Sequence, residues 1–169
     1  SAYTLDTELP TAGTLATATF TATLNAGQST INAVSTKTPA FTVSGISDNG
    51  GLGKLELQWS KSSGGSFTTV ATESTVATST YTLAVPASAG IADGEYYFRV
   101  LVSDKAGNSS PTAEIRLGID TQAPVPVWDF ASLATGANTS TLTNADYTPV
   151  GYVRSGSDLV ARLTISDVG

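Results

Sequence analysis

The chain has 169 residues, which suffices for one well-packed domain and part of another, or for two small sandwiches of about 100 residues each. Its net charge is −6 and its eight Lys and Arg residues are scattered, which argues against nucleic acid as a partner. Neither Cys nor His occurs, and this excludes Ser-His-Asp and Cys-His catalysis as well as zinc sites built from those residues.

The composition and the first segments of the chain favour strands. Charged residues make up only 13% of the chain, and the polar share is carried largely by Thr, Ser, Asn and Gly, which suit strands and turns. Residues 16–24, followed by Ile31 and Val34, predict a first strand, either continuous or split in two, with Phe20 and Leu24 facing inward.

From residue 40 onward, short alternating segments are separated by turn residues, a pattern typical of an antiparallel sandwich. Gly45 and Ile46 interrupt the alternation and predict a bulge, while Glu56 and Gln58 are predicted on an outer face. No segment keeps a helical period. The predicted inward rows are Phe41 and Val43; Leu55, Leu57 and Trp59; Tyr81, Leu83 and Val85; Tyr96, Phe98, Val100 and Val102; and Ala113, Ile115, Leu117 and Ile119.

An internal repeat organises the chain. Residues 5–10 (Leu-Asp-Thr-Glu-Leu-Pro) return 114 residues later as residues 119–124 (Ile-Asp-Thr-Gln-Ala-Pro). Residues 46–48 (Ile-Ser-Asp) return 119 residues later as residues 165–167. Loops of different length between the first strands account for the two offsets. The sequence therefore predicts one complete β-sandwich repeat over residues 1–120, and only the opening strands of a second over residues 121–169.

Three motifs point to a known family. Residues 93–100 (Asp-Gly-Glu-Tyr-Tyr-Phe-Arg-Val) precede residues 103–109 (Ser-Asp-Lys-Ala-Gly-Asn-Ser), and an Asp-Thr-x-x-Pro linker follows at residues 120–124. They resemble the F strand, F–G turn and linker of bacterial immunoglobulin-like (Ig-like) tandem repeats, found in large surface adhesins and other exported multidomain proteins. The resemblance is strongest over residues 40–124. It implies an all-β, Ig-like antiparallel sandwich followed by a partial second Ig-like unit.

The resemblance also implies which aromatic residues form the core. Tyr96 stands two residues before Phe98, like the tyrosine corner of Ig domains, with Phe in the place of the antibody Cys. Trp59 on the C strand would pack at the centre. A sugar-stacking surface is the competing interpretation of Trp59 and Tyr96, and their places in alternating strands favour the core.

Ig-like topology places the start of strand A, the B–C loop and the F–G loop at the same end of a sandwich. Those elements carry oxygen-bearing side chains, the ligands that calcium takes. They are Asp6, Asp48, Asn49, Asp104 and Asn108, and an equivalent cluster at the next junction would begin with Asp120 and Asp167. Related adhesin repeats bind calcium in this way, so the resemblance supports a calcium site that stiffens the junction between repeats. Turn capping by these side chains is the alternative, and it stays open.

Together these observations predict a non-catalytic structural or adhesive repeat of a bacterial extracellular or cell-surface protein, acting as a spacer or fibre segment stiffened by calcium. The expected partners are neighbouring repeats of the same protein, other copies of the chain, or a host or surface ligand. Nucleic acid is not expected, nor is membrane insertion, because no apolar run reaches membrane length. A second hypothesis is a self-polymerising fibre subunit whose half repeat donates strands to a neighbouring copy. A third is a carbohydrate-binding or accessory module of an exported enzyme, with Trp128 as the sugar contact.

Overall fold

A computed structural model describes residues 5–17, 20–23, 30–133, 147–149 and 159–166 of the chain. Over this part the chain is all-β, with thirteen strands and one short 3-10 helix, Ala87–Ala89. The chain divides into two compact units, Ser1–Thr121 and Gln122–Val168, here called unit 1 and unit 2. The division falls one residue from the boundary expected from the repeat.

Unit 1 contains the first ten strands of the described residues. They are β1 (Thr14–Thr17), β2 (Phe20–Thr23), β3 (Thr30–Val34), β4 (Ala40–Ser44), β5 (Leu52–Ser60), β6 (Thr68–Glu73), β7 (Thr80–Ala84), β8 (Gly94–Asp104), β9 (Ser109–Pro111) and β10 (Ile115–Ile119). The sequence predicted a bulge near the end of this strand, but β4 ends at Ser44, and Gly45, with a φ of 73°, directly follows it. Ile46, just beyond, turns back into the core and is 1% exposed.

Two sheets form the sandwich of unit 1. The smaller has the order β1-β4-β7, and the larger has the order β2-β3-β10-β8-β5-β6, with β9 beside β8. Neighbouring strands are antiparallel, except that β3 runs parallel to β10. Strands β1, β4 and β7 take the places of A, B and E in an Ig domain, and β5, β8 and β10 those of C, F and G. This arrangement confirms the predicted Ig-like antiparallel sandwich.

The core of unit 1 lies between these sheets. The rings of Phe41 on β4 and Phe98 on β8 meet with their centroids 4.7 Å apart. Full burial of a large apolar side chain contributes about 1.5–3 kcal/mol relative to leaving it in water. The most deeply buried side chains are Phe41, Val43, Ile46, Leu55, Leu57, Val85, Tyr96, Phe98, Val100, Val102, Leu117 and Ile119.

Tyr96 joins this core to the turn before β8. Its side chain is 2% exposed, and its hydroxyl donates a hydrogen bond to the carbonyl oxygen of Ala92 at 2.8 Å. A tyrosine near the start of the F strand that bonds back to the backbone a few residues upstream forms the tyrosine corner of Ig domains. The ring also contacts Phe98 and meets Trp59 edge to face at 5.0 Å.

Strand β5 departs from strict alternation at Gln58, where its pairing with β6 shifts by one residue. Gln58, predicted to face outward, is only 8% exposed. Polar side chains of the neighbouring strands cover Gln58. Arg99 Nε donates to Gln58 Oε1 at 2.9 Å, and Gln58 Nε2 donates to Thr69 Oγ1 at 3.2 Å. Trp59 is partly buried and packs against the margin of the core rather than at its centre.

The amino-terminal strand is divided into three strands, which is more than the sequence predicted. Strand β1 pairs with β4, whereas β2 and β3 form a hairpin that joins the larger sheet through β10. Alternating Thr and Ala give this stretch two similar faces, so its pattern does not fix where a strand leaves one sheet for the other. Val34, at the end of β3, is buried, and Leu24 lies outside the described residues.

Unit 2 forms, within its described residues, an antiparallel sheet with the order β12-β11-β13. Its strands are β11 (Val125–Leu133), β12 (Tyr147–Pro149) and β13 (Leu159–Ser166). Trp128 lies on β11, opposite Leu163 of β13. That unit 2 is a partial second Ig-like repeat stays a prediction. The described residues contain no helix with the length and apolar character needed to cross a bilayer.

Candidate metal centre

Three carboxylates from distant parts of the sequence meet at one end of unit 1. Asp6 lies before β1, Asp48 lies in the β4–β5 loop, and Asp104 is the last residue of β8. The leading segment, residues 5–10, is held beside the β4–β5 loop because the N–H of Thr11 donates to the carbonyl of Ser47 at 2.8 Å. The fold thus brings together the three Asp residues of this end that the sequence analysis singled out.

The spacing of these carboxylates suits a divalent cation. One oxygen from each of Asp6, Asp48 and Asp104 lies within 4.8 Å of the others. Calcium–oxygen bonds are about 2.3–2.6 Å long, so two ligands on opposite sides of an ion are about 4.6–5.2 Å apart. The three oxygens therefore fit around one calcium ion, and a donor set made only of oxygen disfavours zinc. We call this trio the carboxylate cluster.

Asp104 is the most firmly held member of the carboxylate cluster. It is 4% exposed, and its Oδ1 accepts hydrogen bonds from the N–H groups of Gly107 and Asn108 at 2.6 and 2.8 Å. Burial acts to raise the pKa of Asp104. Hydrogen bonds from the Asn108 side chain and from the backbone of residues 106–108 outweigh burial and hold that pKa below its ordinary value. Asp104 is therefore ionised at neutral pH.

The other two members also cap turns. Oδ1 of Asp6 accepts from the N–H of Glu8 at 3.1 Å, and Oδ2 of Asp48 accepts from the N–H of Gly50 at 2.8 Å. The sequence left two alternatives open for these side chains, the capping of turns and the assembly of a cluster. In the structure Asp6 and Asp48 cap turns and also lie together in the cluster. Gly50 allows the approach, because a Cβ at this position would overlap Oδ2 of Asp6.

The two asparagines of this end have different surroundings. Asn108 links two members of the cluster, since its Nδ2 donates to the backbone carbonyl of Asp6 at 3.1 Å and to Oδ2 of Asp104 at 2.7 Å. Asn49 is exposed, and its Nδ2 donates to Oε2 of Glu8 at 2.5 Å. Asn108 therefore positions the cluster, whereas Asn49 lies on its rim.

In the part of the chain that the structure describes, no basic side chain forms an ion pair with the carboxylate cluster. Among the residues that the structure describes, the ion pairs join Lys37 to Asp93, Lys54 to Glu56 and Arg116 to Glu95. Lys105 lines the same shallow hollow as Asp6, yet its ammonium makes no ion pair within the described part of the chain. Like charges this close repel each other, and a bound cation would relieve the repulsion.

Sequence reasoning did not single out Glu8, Gly50 or Lys105, although all three surround the cluster. Gly50 could have been found, because the run Asp48-Asn49-Gly50-Gly51 is typical of a tight turn in which side chains approach the backbone closely. Glu8 and Lys105 carried no such signal, since isolated charged residues next to turns are ordinary on protein surfaces.

Asp120 lies at the opposite end of unit 1. It follows β10, whose last residue, Ile119, pairs with the first residue of β8, whereas Asp104 is the last residue of β8. Strand β8 has 11 residues, and at about 3.3 Å per residue it separates the two ends by about 33 Å. Asp167 lies outside the described residues. A second cluster that begins with Asp120 and Asp167 therefore stays a prediction.

A further carboxylate contact lies at this opposite end, and the sequence did not predict it. The carboxylate of Asp93 accepts from Oγ1 of Thr121 at 3.0 Å and from the Thr121 N–H at 3.3 Å, and Lys37 Nζ lies 3.5 Å away. Burial acts to raise the pKa of Asp93, but the bonds from Thr121 and the charge of Lys37 outweigh it and lower the pKa. We call this contact the Asp93–Thr121 clamp.

The sandwich with its two sheets, its tyrosine corner and its polar ends defines unit 1 as an Ig-like module. The family model described as Bacterial Ig-like domain matches residues 10–121, and the chain belongs to this family. None of the curated proteins compared with the chain is similar to it. Domains of the family are structural or adhesive modules, are typically non-catalytic, and point to an extracellular or surface protein.

Proposed function

We propose that this chain is a calcium-stiffened spacer or fibre segment of a bacterial extracellular or cell-surface protein. The carboxylate cluster carries the proposal: three carboxylate oxygens within 4.8 Å of one another, at the end of unit 1 where the chain leads into the sandwich. Membership of the bacterial Ig-like family supports the structural class. The chain leaves unit 1 about 33 Å away, at the other end of β8, which suits a spacer.

Calcium would stiffen the module because the cluster joins two different parts of unit 1. Asp6 belongs to the leading segment, whereas Asp48 lies in the β4–β5 loop and Asp104 ends strand β8, and the sandwich fixes both. The leading segment buries little apolar side chain before Pro10, since Leu5 is 86% exposed and Leu9 is 66% exposed. An ion shared by the three carboxylates would tie this segment to the sandwich, whereas repulsion among them loosens it when calcium is removed.

The placement of the three carboxylates supports calcium in preference to magnesium. Calcium accepts six to eight oxygens in flexible geometry, whereas magnesium demands a regular octahedron with bonds of about 2.0–2.1 Å. The cluster takes its carboxylates from the leading segment, the β4–β5 loop and the end of β8, which makes a regular octahedron hard to build. Turn geometry already fixes the side chains, so less conformational entropy is lost when an ion binds.

Isothermal titration calorimetry with calcium chloride tests the proposal. We expect one site per chain from the carboxylate cluster, with a Kd of about 10⁻⁴–10⁻³ M, as in extracellular calcium modules, and weaker magnesium binding. Asp6→Asn removes one charged ligand but keeps an oxygen for the Glu8 N–H, and it should weaken binding about tenfold or more. Glu73→Gln is the matched control, because Glu73 also caps a nearby backbone N–H but lies on β6. Equal affinities in all three proteins would refute the calcium site.

A further inference from the structure

The leading segment contains an exposed apolar side chain whose counterpart in the repeat is buried. Leu5 is 86% exposed, whereas Ile119, at the matching place 114 residues later, is 1% exposed in the core of unit 1. Ile119 is the last residue of β10, the closing strand of the sandwich. The repeat therefore aligns Leu5 with the end of a closing strand, but unit 1 does not bury it.

Thr7 shows the same contrast with its counterpart, Thr121. In the Asp93–Thr121 clamp, Thr121 donates from both its hydroxyl and its N–H to a carboxylate in the turn before β8. Thr7 is exposed, and its side chain makes no hydrogen bond to any residue that the structure describes. Leu5 and Thr7 thus match Ile119 and Thr121 in sequence, but unit 1 offers them neither the core contact nor the carboxylate that their counterparts have.

We propose that residues 5–7 close another Ig-like domain, which directly precedes them in the chain, with Leu5 in its core and Thr7 on a carboxylate of its E–F turn. This inference rests on the proposed function as a spacer and names its partner. The register supports it further, because Tyr3 and Leu5 stand at alternate positions, as the buried Leu117 and Ile119 do at the end of β10.

The position of Asp6 between Leu5 and Thr7 gives the proposal a mechanical meaning. Asp6 belongs to the carboxylate cluster of unit 1, while Thr7, the next residue, is assigned to the preceding domain. Side chains of neighbouring residues in an extended chain point to opposite sides. One dipeptide is therefore held by two domains at once, and almost no free linker is left between them.

Point substitutions in the full chain give the first test. Leu5→Ser and Thr7→Val should leave the thermal midpoint of unit 1 within about 2 °C of the wild type, because neither side chain is used by unit 1. The matched substitution Ile119→Ser should lower the midpoint by about 8 °C or more, as expected for a large apolar side chain removed from a core. A fall of more than 2 °C for Leu5→Ser would place that side chain in the packing of unit 1 and overturn the proposal.

A longer chain gives the decisive test. Residues 5–114 are placed directly before the complete chain 1–169, so that residues 1–7 are the segment available to close the leading copy. Hydrogen exchange of residues 1–7 should slow about tenfold or more relative to the chain 1–169, because a paired strand end protects its amides. Asp93→Ala in the leading copy should reverse the protection of Thr7. Unchanged exchange both in this chain and in the second version described next would overturn the proposal.

A second version of the longer chain tests whether Tyr3 and Thr4 themselves prevent docking, because they differ from the residues whose places they take. Tyr3 and Thr4 would replace Leu117 and Gly118 of the leading copy, so Tyr3→Leu with Thr4→Gly restores those side chains and leaves residues 5–7 untouched. Absence of protection in both versions refutes docking. The calorimetric titration of the chain 1–169 does not involve a preceding domain, so calcium binding without docking refutes this inference alone, and docking without calcium binding refutes only the calcium site.

Discussion

Calcium should raise the thermal stability of unit 1 by an amount that can be worked out beforehand. With 2 mM calcium and a Kd of about 0.1–1 mM, mass action adds about 0.6–1.8 kcal/mol to the free energy of unfolding. Residues 10–121 span the matched domain, and at about 2.1 cal/mol/K per residue their unfolding entropy is about 0.24 kcal/mol/K. The midpoint should therefore rise by about 3–8 °C.

Asp48→Asn gives a sharper test, because the difference in thermal midpoint between this variant and the wild type should change sign when calcium is added. The amide oxygen can still accept the Gly50 N–H, but one of three neighbouring negative charges is lost. Without calcium, the variant should melt at or slightly above the wild-type midpoint, and calcium should no longer raise it. Trp59 fluorescence follows unit 1 if Trp128→Phe is introduced, since the chain has two Trp residues. A calcium response in Asp48→Asn as large as in the wild type would refute the reasoning, and Glu73→Gln should keep the full response.

Three further substitutions test the contacts that hold unit 1. Tyr96→Phe removes the hydroxyl of the tyrosine corner and should lower the free energy of unfolding, measured in urea, by about 1–3 kcal/mol. Tyr97→Phe, at the neighbouring outward position, should lower it by less than about 0.5 kcal/mol. Equal losses in the two variants would contradict a stabilising role of the Tyr96 hydroxyl. Thr112→Val removes the hydroxyl that accepts the buried N–H of Val100, and it should lower the free energy of unfolding by about 1–3 kcal/mol. Thr112→Ser keeps a hydroxyl and should retain most of that stability. An unchanged stability of the Val variant would contradict this role of the hydroxyl. The lowered pKa of Asp93 means that its stabilisation is present above the ordinary aspartate pKa and is lost as the pH falls through the lower folded-state pKa. The gap in unfolding free energy between the wild type and Asp93→Asn, measured in chelator, should therefore shrink on acidification, and a gap that does not change with pH would count against the clamp.

The sheets could be predicted where alternation was strict and one-sided. In β8, Tyr96, Phe98, Val100 and Val102 all face the core, because every second side chain is large and apolar. The hairpin of β2 and β3 and its parallel pairing with β10 could not be predicted. Thr and Ala suit either face of a sheet, so the sequence there carries little information about which strand is the neighbour.

The burial of polar side chains was the second feature that could not be predicted from the sequence. The sequence pattern predicts an outward position for Gln58, yet in the structure Arg99 and Thr69 cover it. Such cover depends on residues 11 and 41 positions away in the sequence, which a local pattern does not contain. Convergence of Asp6, Asp48 and Asp104 was within reach because it follows from topology, whereas the Asp93–Thr121 clamp depends on the exact path of the chain after β10.

The parallel pairing of β3 with β10 decides how unit 1 responds when it is pulled along its length. Leu117 to Ile119 lie beside Asn32 to Val34, and both strands point toward the end of the sandwich where the chain leaves. Once β1 and β2 have been pulled away, tension on the two ends would drag β3 and β10 past each other, and their hydrogen bonds would be loaded together rather than one by one. The chain contains no cysteine, so no disulfide shares this load, and in unit 1 it falls on hydrogen bonds and side-chain packing.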